Sequence, residues 1–519
     1  MARWKSLDAA QAVLAPLCLN DVLEPGGFEF AVHHLIEARY DDSFLAEAFD
    51  NDLTGAPAWP PKILLKVLLI CYARGVLSSR RIEAACATNV PLMLLCACAK
   101  PDHATLARFV LRLGQRLPAI FAEVLQVCHE EGLLDGTRFA LDGLKLPANA
   151  SKDLSGTFAE LKRKRDKLEA RARELMAEHQ AQDKEGGAGA PTAQAERRER
   201  AERLVKKAEK IDTFLHDNEP RQGIAGKEVK SNVTDPDSTK MGTGHGTIQG
   251  YNAQALVDEK HQIVIHPHAI GEGQDSAALA EVLPAANATA QAAGLGADYL
   301  KGKQLLADSG YHSERNLEAA DAHGLDAYVP DNLFRSRDPR LEGRDVHLEK
   351  ETGKKKNLHT AKDFRHDEAG DTYQCPAGKL LTLNAAIART GKGHVYRRYL
   401  ASKEDCANCP LRTRCLTVRG KVRSLYIPAE GFAKKRTQLM RDKIDLPESR
   451  AIYGRRMGIV EPVFGNIRHN KGVTRFWHRG KAKVNLVWTL HCLVHNLGKL
   501  VVNAPGYIAK LAEKAAARA

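Results

Sequence analysis

The stretch Arg138-Phe139-Ala140-Leu141-Asp142-Gly143-Leu144-Lys145-Leu146, closed by Pro147, alternates in part between apolar and other residues, the pattern of a β-strand. Asp142 lies inside it. A carboxylate in an otherwise apolar strand is costly to bury unless it is paired or metal-bound, so Asp142 invites a functional explanation. Downstream, Gln249 to Val257 and Gln262 to His268 read as strands around the turn Asp258 to His261, forming a hairpin. A helix is expected from Asp275 to about Ala293, a strand from Gln304 to Ala307 ending at Asp308, a helix from Ser313 to about Ala322, and a short strand from Ala327 to Val329. Counted from Asp142, the order is strand, long insertion, two strands, helix, strand, helix, strand.

That order is the one of a ribonuclease-H-like α/β core interrupted by an insertion, with acids on the first and fourth strands. The insertion carries Leu161, Leu168 and Leu175 at heptad spacing, and Leu204, Ala208, Ile211 and Leu215 after a break at Gly186, Gly187, Gly189 and Pro191. This predicts a helical hairpin, its dense Lys, Arg and Glu reading as a solvated face or as a contact for nucleic acid or a second subunit. Upstream, Pro60 and Pro61 fit a helix start before Ile63, Leu64, Val67, Leu68 and Cys71; a second helix follows Ser79; and Asp102 caps a third that carries Leu106, Phe109, Val110 and Leu113. These short helices suit either a helix-turn-helix bundle or a structural cap, since basic residues such as Arg80 and Arg81 are few.

The chain has 519 residues, enough for several domains, and an ordinary globular composition of 44% hydrophobic and 27% charged residues. Its apolar runs, Ile63 to Ala73 and Val90 to Ala99, fall short of the ~20 residues of a membrane helix. The run from Ala9 to Leu19 is interrupted by Asp8 at its edge, Gln11 and Pro16 and lacks a cleavage site, so a cytoplasmic protein is expected. The formal charge of +13 favours a polyanion as partner.

Phosphodiester cleavage and strand transfer need an activated oxygen nucleophile, in-line geometry and neutralised phosphate charge. Two divalent cations about 3.5 to 4 Å apart supply all three, and their hard oxygen ligands are carboxylates. Asp142 and Asp308 are expected on neighbouring strands, and the third acid on a late helix beside them. Glu461, inside Ile459-Val460-Glu461-Pro462-Val463-Phe464-Gly465, is the best candidate, with Glu448 the weaker one at a polar helix start. Between Glu448 and Lys483 stand nine Lys or Arg against two acids, a surface suited to phosphate backbone. Lys471, Arg475 and Arg479 belong to it. Trp477 and Phe476 lie among them, able to stack on an unpaired base or to pack on the final helix, Val484 to Val501.

With these motifs the chain resembles bacterial insertion-sequence transposases of the DDE type, in the branch with a helical amino-terminal domain and a cysteine-bearing insertion before the last acid. Leu141-Asp142-Gly143 resembles the first-acid motif, Leu306-Ala307-Asp308-Ser309-Gly310-Tyr311 the second and Val460-Glu461-Pro462-Val463-Phe464-Gly465 the third. Around the glutamate, related families carry a Tyr, an Arg three positions on, the Glu four further and a Lys seven beyond. This chain offers Tyr453, Arg456, Glu461 and Arg468, with one extra residue between Arg456 and Glu461 and Arg in place of Lys. Arg468 retains bidentate phosphate geometry.

The resemblance implies a transposase that uses two Mg²⁺ or Mn²⁺ ions held by Asp142, Asp308 and Glu461. Its partner is double-stranded DNA, transposon ends and target, bound as a homodimer or higher assembly in the bacterial cytoplasm at the nucleoid. Rivals are a nuclease of the same core that cuts without joining, and a non-catalytic DNA-binding derivative. The expected domains are a helical amino-terminal domain over 1–132, a catalytic core over 133–152, 228–332 and 446–502, a helical hairpin over 153–227, a Cys-rich insertion over 333–445 and a carboxy-terminal tail over 503–519.

Of the eleven cysteines, Cys71, Cys86, Cys96, Cys98, Cys128 and Cys492 read as small hydrophobes in helical surroundings. Cys375, Cys406, Cys409 and Cys415 read as a structural zinc site or as free thiols. Asp235 and Asp237, flanking Pro236, read as a turn. The run Gly242, Gly244, Gly246 is expected to follow no strand and open no helix, so it does not support a dinucleotide fold, and no ATP-type phosphate loop is present.

Overall fold

A computed structural model describes residues 17–41, 43, 57–184, 191–223, 226–244, 246–341, 358–389, 395–417, 420–428 and 435–517. The glycines expected to break the helical hairpin, and residues 9–16 of the amino-terminal apolar run, lie outside these. The chain divides into two compact units: Met1–Asn332 with Met440–Ala519, and Leu333–Leu439.

In the first unit the strands are β1 (Arg138–Pro147), β2 (Ser155–Gly156), β3 (Ser231–Asn232), β4 (Thr239–Thr243), β5 (Gly246–Asp258), β6 (Val264–Ile270), β7 (Gln304–Ala307) and β8 (Asp326–Tyr328). Strand β1 is central. It pairs antiparallel with β5 and parallel with β7, which pairs parallel with β8. The outer edge of β5 is shared between β4 and β6, both antiparallel. Phe139, Ala140 and Leu141 are fully buried because a strand paired on both edges and covered on both faces meets no water.

The helix Lys481–Asn503 covers β6 and ties off its exposed edge. Asn485 accepts the Ala269 N–H at 2.7 Å and donates to its carbonyl at 2.9 Å, and Asn496 does the same to Val264 at 2.8 Å each. Eleven residues are close to three helical turns, so both amides lie on one face and satisfy backbone groups that an unpaired edge would leave open. From the same helix, buried Trp488 donates its indole N–H to the Gln254 carbonyl at 2.7 Å.

The helix Pro61–Ala73 starts where its prolines indicate, and residues Leu64 to Tyr72 are buried all round. Even Lys66 is enclosed, ion-paired to Glu37. The helix Ser79–Thr88 is capped by Ser78, and His103–Arg112 by Asp102, which accepts the Ala104 and Thr105 N–H groups at 2.9 Å each. The insertion forms the expected hairpin, Phe158–Lys184 and Pro191–Asp217, closed at its base by β2 and β3. Leu154, Leu161, Ile211 and Phe214 make its core, while Arg198 and Arg203 pair with exposed glutamates one turn away.

Three expectations are corrected. Gly242 lies in β4 and Gly246 opens β5 at φ +108°, so the glycine run is the bend of a hairpin. The helix expected from Asp275 begins at Leu279, because the Asp275 side chain and carbonyl are held by other elements. The expected tail contains a helix, Pro505–Ala516, whose Ile508 and Leu511 are buried.

The second unit contains a sheet that the sequence did not suggest. Strands β9 (Arg365–Asp367), β10 (Thr372–Gln374), β11 (Leu380–Arg389), β12 (Val395–Ala401) and β13 (Ser424–Pro428) form an antiparallel meander in that order. Phe364, Leu381, Tyr399, Ala401 and Leu425 form its core.

Candidate active site

The parallel register decides where the first two acids lie. Leu141 of β1 stands opposite Ala307 of β7, so the next residues, Asp142 and Asp308, leave neighbouring strands side by side. Asp142 Oδ1 accepts the Gly143 N–H at 2.8 Å, and Oδ2 accepts from Arg456 Nη1 at 2.8 Å. Burial pushes the Asp142 carboxyl pKa up against the opposing pull of Arg456, and the Asp308 charge adds to the rise. Asp308 caps a single 3₁₀ turn, its Oδ1 accepting the Gly310 N–H at 2.8 Å.

A third acid completes this group, and sequence reasoning did not assign it. Asp275 lies in the loop between β6 and the following helix, and its Oδ1 accepts from Asn252 Nδ2 at 2.6 Å and Gln254 Nε2 at 2.8 Å. A side chain built on Gly310 would meet Asp308 Oδ1 at 3.0 Å and Asp275 Oδ2 at 3.1 Å, so these oxygens are no further apart than the two distances laid end to end. Burial raises the Asp275 carboxyl pKa, and the Asp308 charge raises it further. The supporting shell is buried and polar. Tyr311 donates to Gln254 Oε1, and Asn316 Nδ2 donates to the Asp275 carbonyl at 2.7 Å. Asn252 Oδ1 is a buried acceptor with no partner among the described residues. Lys145, also unassigned from sequence, lies within electrostatic reach of Asp275. The signal that could have exposed this network is the pair Asn252 and Gln254, two amides two residues apart on one face of a buried strand.

Gly143 leaves room for these amides. A Cβ there would stand 2.1 Å from Asn252 Oδ1 and 2.4 Å from Gln254 Nε2. Gly143→Ala is therefore expected to cost about 1–3 kcal/mol of stability, read as a lower urea midpoint at unchanged slope. An unchanged midpoint would show that the amides are not fixed there.

Glu461 is not brought to the aspartates. It lies on the helix Arg456–Gly465 and is exposed, whereas Ile459, Val460 and Val463 are buried. Five residues separate it from Arg456, about 140° round the helix, so the face that offers Arg456 to Asp142 turns Glu461 away. Among the described residues no three His, Cys, Asp or Glu side chains form a ready-made ion-holding group. Glu448 lies in the first turn of the helix Pro447–Gly454.

Residues 374–501 match a family described as "Transposase DDE domain", and residues 18–112 match one described as "Transposase domain (DUF772)". Together the two matches support a DDE-type insertion-sequence transposase. The first match includes Glu461, and the second covers the amino-terminal helices; Asp142, Asp275 and Asp308 lie outside both. No curated protein and no solved structure matches the chain.

The cations expected to grip DNA divide into two groups. Arg468 and Arg479 are exposed, and Tyr453 is half-buried. Arg456 is paired with Asp142, and Lys471 is 8% exposed with its pKa lowered by burial, so neither is offered to phosphate here. The segment Arg475 to Arg479 docks on the end of β1: Phe476 N–H donates to the Pro147 carbonyl at 2.8 Å, Arg475 Nη2 to Ala148 at 3.1 Å and Arg479 Nε to Asn149 at 2.7 Å. Phe476 is buried edge-on against Tyr251. Trp477 is 57% exposed, with the Arg475 guanidinium 4.6 Å from its ring centre. Packing on the final helix thus does not describe Trp477. Asp235 is more than a turn residue, being fully buried and accepting from the Tyr251 hydroxyl at 2.7 Å and the Gly480 N–H at 3.1 Å. Asp237 accepts the Lys481 N–H at 2.8 Å. No helix among the described residues is long and apolar enough to cross a membrane.

Proposed function

We propose that this transposase hydrolyses a phosphodiester at the ends of its element to expose a 3′-hydroxyl, and joins that hydroxyl to target DNA. The observation that carries the reading is the β1/β7 register, which sets Asp142 beside Asp308 with Asp275 against the latter. The strand order β6-β5-β1-β7-β8, antiparallel on one side of β1 and parallel on the other, supports a ribonuclease-H-like core.

The donor set suits Mg²⁺ or Mn²⁺. Asp308 Oδ2 and Asp275 Oδ2 accept no hydrogen bond among the described residues, and Asn252 Oδ1 is an orphaned hard oxygen beside them. Asp142 and Asp308 would hold two ions with Asp275 as the carboxylate already in place; bound there, the ions would supply Lewis-acid charge and an activated oxygen. Glu461, on the same helix as Arg456, would be the further carboxylate of one site. Arg456 orients the Asp142 carboxylate and offsets its charge, Asn252 and Gln254 fix Asp275, and the Gly310 N–H fixes Asp308.

The segment from Arg468 to Arg479 would bind the DNA, with Arg468 and Arg479 on phosphates and Trp477 on a base. The assembly on DNA would be a homodimer or larger. Arg479→Ala is expected to weaken binding to an end duplex and to lower the slope of log K against log salt by about 1. Trp477→Ala is expected to weaken binding of a frayed end without changing that slope. Fluorescence anisotropy across a salt series measures both, and a slope unchanged in Arg479→Ala would remove that contact.

A strand-transfer assay with a pre-cut end tests the joining step. Joined product is the expected result; cleavage of uncut ends without any joining would identify a nuclease.

A further inference from the structure

We propose that Cys375, Cys406, Cys409 and Cys415 form a structural zinc site that holds the second unit together, an inference independent of the catalytic reading. The four thiols line one cavity of about 30 Å³, together with Leu381 and Ala401. That is room for an ion, a water needing roughly 10–15 Å³ by the same kind of measure. Cys375, Cys406 and Cys415 also pack on the core of the unit, and the Cys415 sulfur lies within electrostatic reach of the other three. All four are free thiols.

Cys375 sits in a turn that presents its sulfur. The Gly378 N–H donates to the Cys375 carbonyl and the Cys375 N–H to the Lys379 carbonyl, each at 2.8 Å, while the Lys379 N–H donates to Cys375 Sγ at 3.3 Å. Gly378 permits the turn with φ +77°. A backbone N–H on a ligand sulfur is the outer-shell bond that orients such a ligand.

The charge around the cavity agrees. Zinc with four thiolates carries −2, and Lys379, Arg412 and Arg423 line the cavity against a single carboxylate, Asp405. Arg412 Nη1 donates to the Cys406 carbonyl at 2.7 Å, and Arg423 Nη1 to the Cys415 carbonyl at 3.0 Å, so both cations are fixed to the ligand backbone. Soft sulfur selects zinc over the hard ions of the acid cluster. The described core of this unit is five residues, a small one for the span Leu333–Leu439, and a metal commonly supplies the missing stability in such cases. In this structure the thiols do not yet converge on one point. Rotation of cysteine side chains around their common cavity is the change an ion would bring about, with release of the thiol protons.

The test is metal content by inductively coupled plasma mass spectrometry on the full chain, purified without added metal. One zinc per chain is expected, retained in Asp142→Asn with Asp308→Asn and reduced at least about tenfold in Cys406→Ser with Cys409→Ser. Because the cysteine variant can fail to fold, the wild-type chain is also loaded with cobalt(II), where sulfur-to-cobalt charge-transfer absorption and intense tetrahedral d–d bands are expected. Wild type with neither zinc nor the cobalt–thiolate spectrum would overturn the proposal, as would full zinc retention in the cysteine variant.

Discussion

Asp308→Asn is expected to bring cleavage of a transposon-end duplex below detection, a loss of at least about 10³-fold or ~4 kcal/mol of transition-state stabilisation, while binding of the same duplex is unchanged. The residue follows the end of β7, is half-buried, and its Oδ1 accepts the Gly310 N–H. Asparagine preserves that acceptor and the turn it caps, so the fold and the DNA-facing segment at the end of β1 are left intact. What changes is one negative charge in the acid group. Gel-shift and cleavage assays on the same preparation separate the two effects, and cleavage retained in Mg²⁺ would remove Asp308 from the chemistry.

A large but smaller loss is expected for Asp275→Asn. Its Oδ1 receives N–H groups from both Asn252 and Gln254, and an asparagine that keeps this oxygen acceptor places its new NH₂ where Oδ2 faced Asp308. The substitution therefore removes a hard oxygen from the group while the amide pair stays satisfied. Cleavage should fall by at least about 10²-fold with little change in unfolding midpoint. Full activity in this variant would reduce Asp275 to a structural acid.

The two predictions show how unevenly the site could be read from sequence. Asp142 and Asp308 were legible because each ends or interrupts an apolar strand, where a carboxylate needs a reason. The strand Gln304–Ala307 and the capped helices followed from equally local signals, namely apolar runs, prolines and Asp102. Asp275 was hidden because an acid before a helix looks like a cap, and its partners Asn252 and Gln254 come from a strand more than twenty residues earlier. Glu461 stands out in the sequence as an acid within an apolar run, but the apolar residues around it face the core at helical spacing and leave the acid on the outside. The sheet of the second unit was missed because β9 and β10 have three residues each, too short for alternation to register. The helix Pro505–Ala516 carried its signal, a proline start before Ile508 and Leu511, in a stretch short enough to pass for a tail.

Asp142 and Asp308 are proposed to hold the divalent ions together. Mn²⁺ electron paramagnetic resonance on the transposase with a pre-cut end duplex addresses it directly, since bound and free Mn²⁺ differ in signal. Tightly bound Mn²⁺ is expected in the wild type, and its loss in Asp142→Asn with Asp308→Asn at equal DNA occupancy. Mn²⁺ bound to the same extent and affinity in that double variant would contradict it.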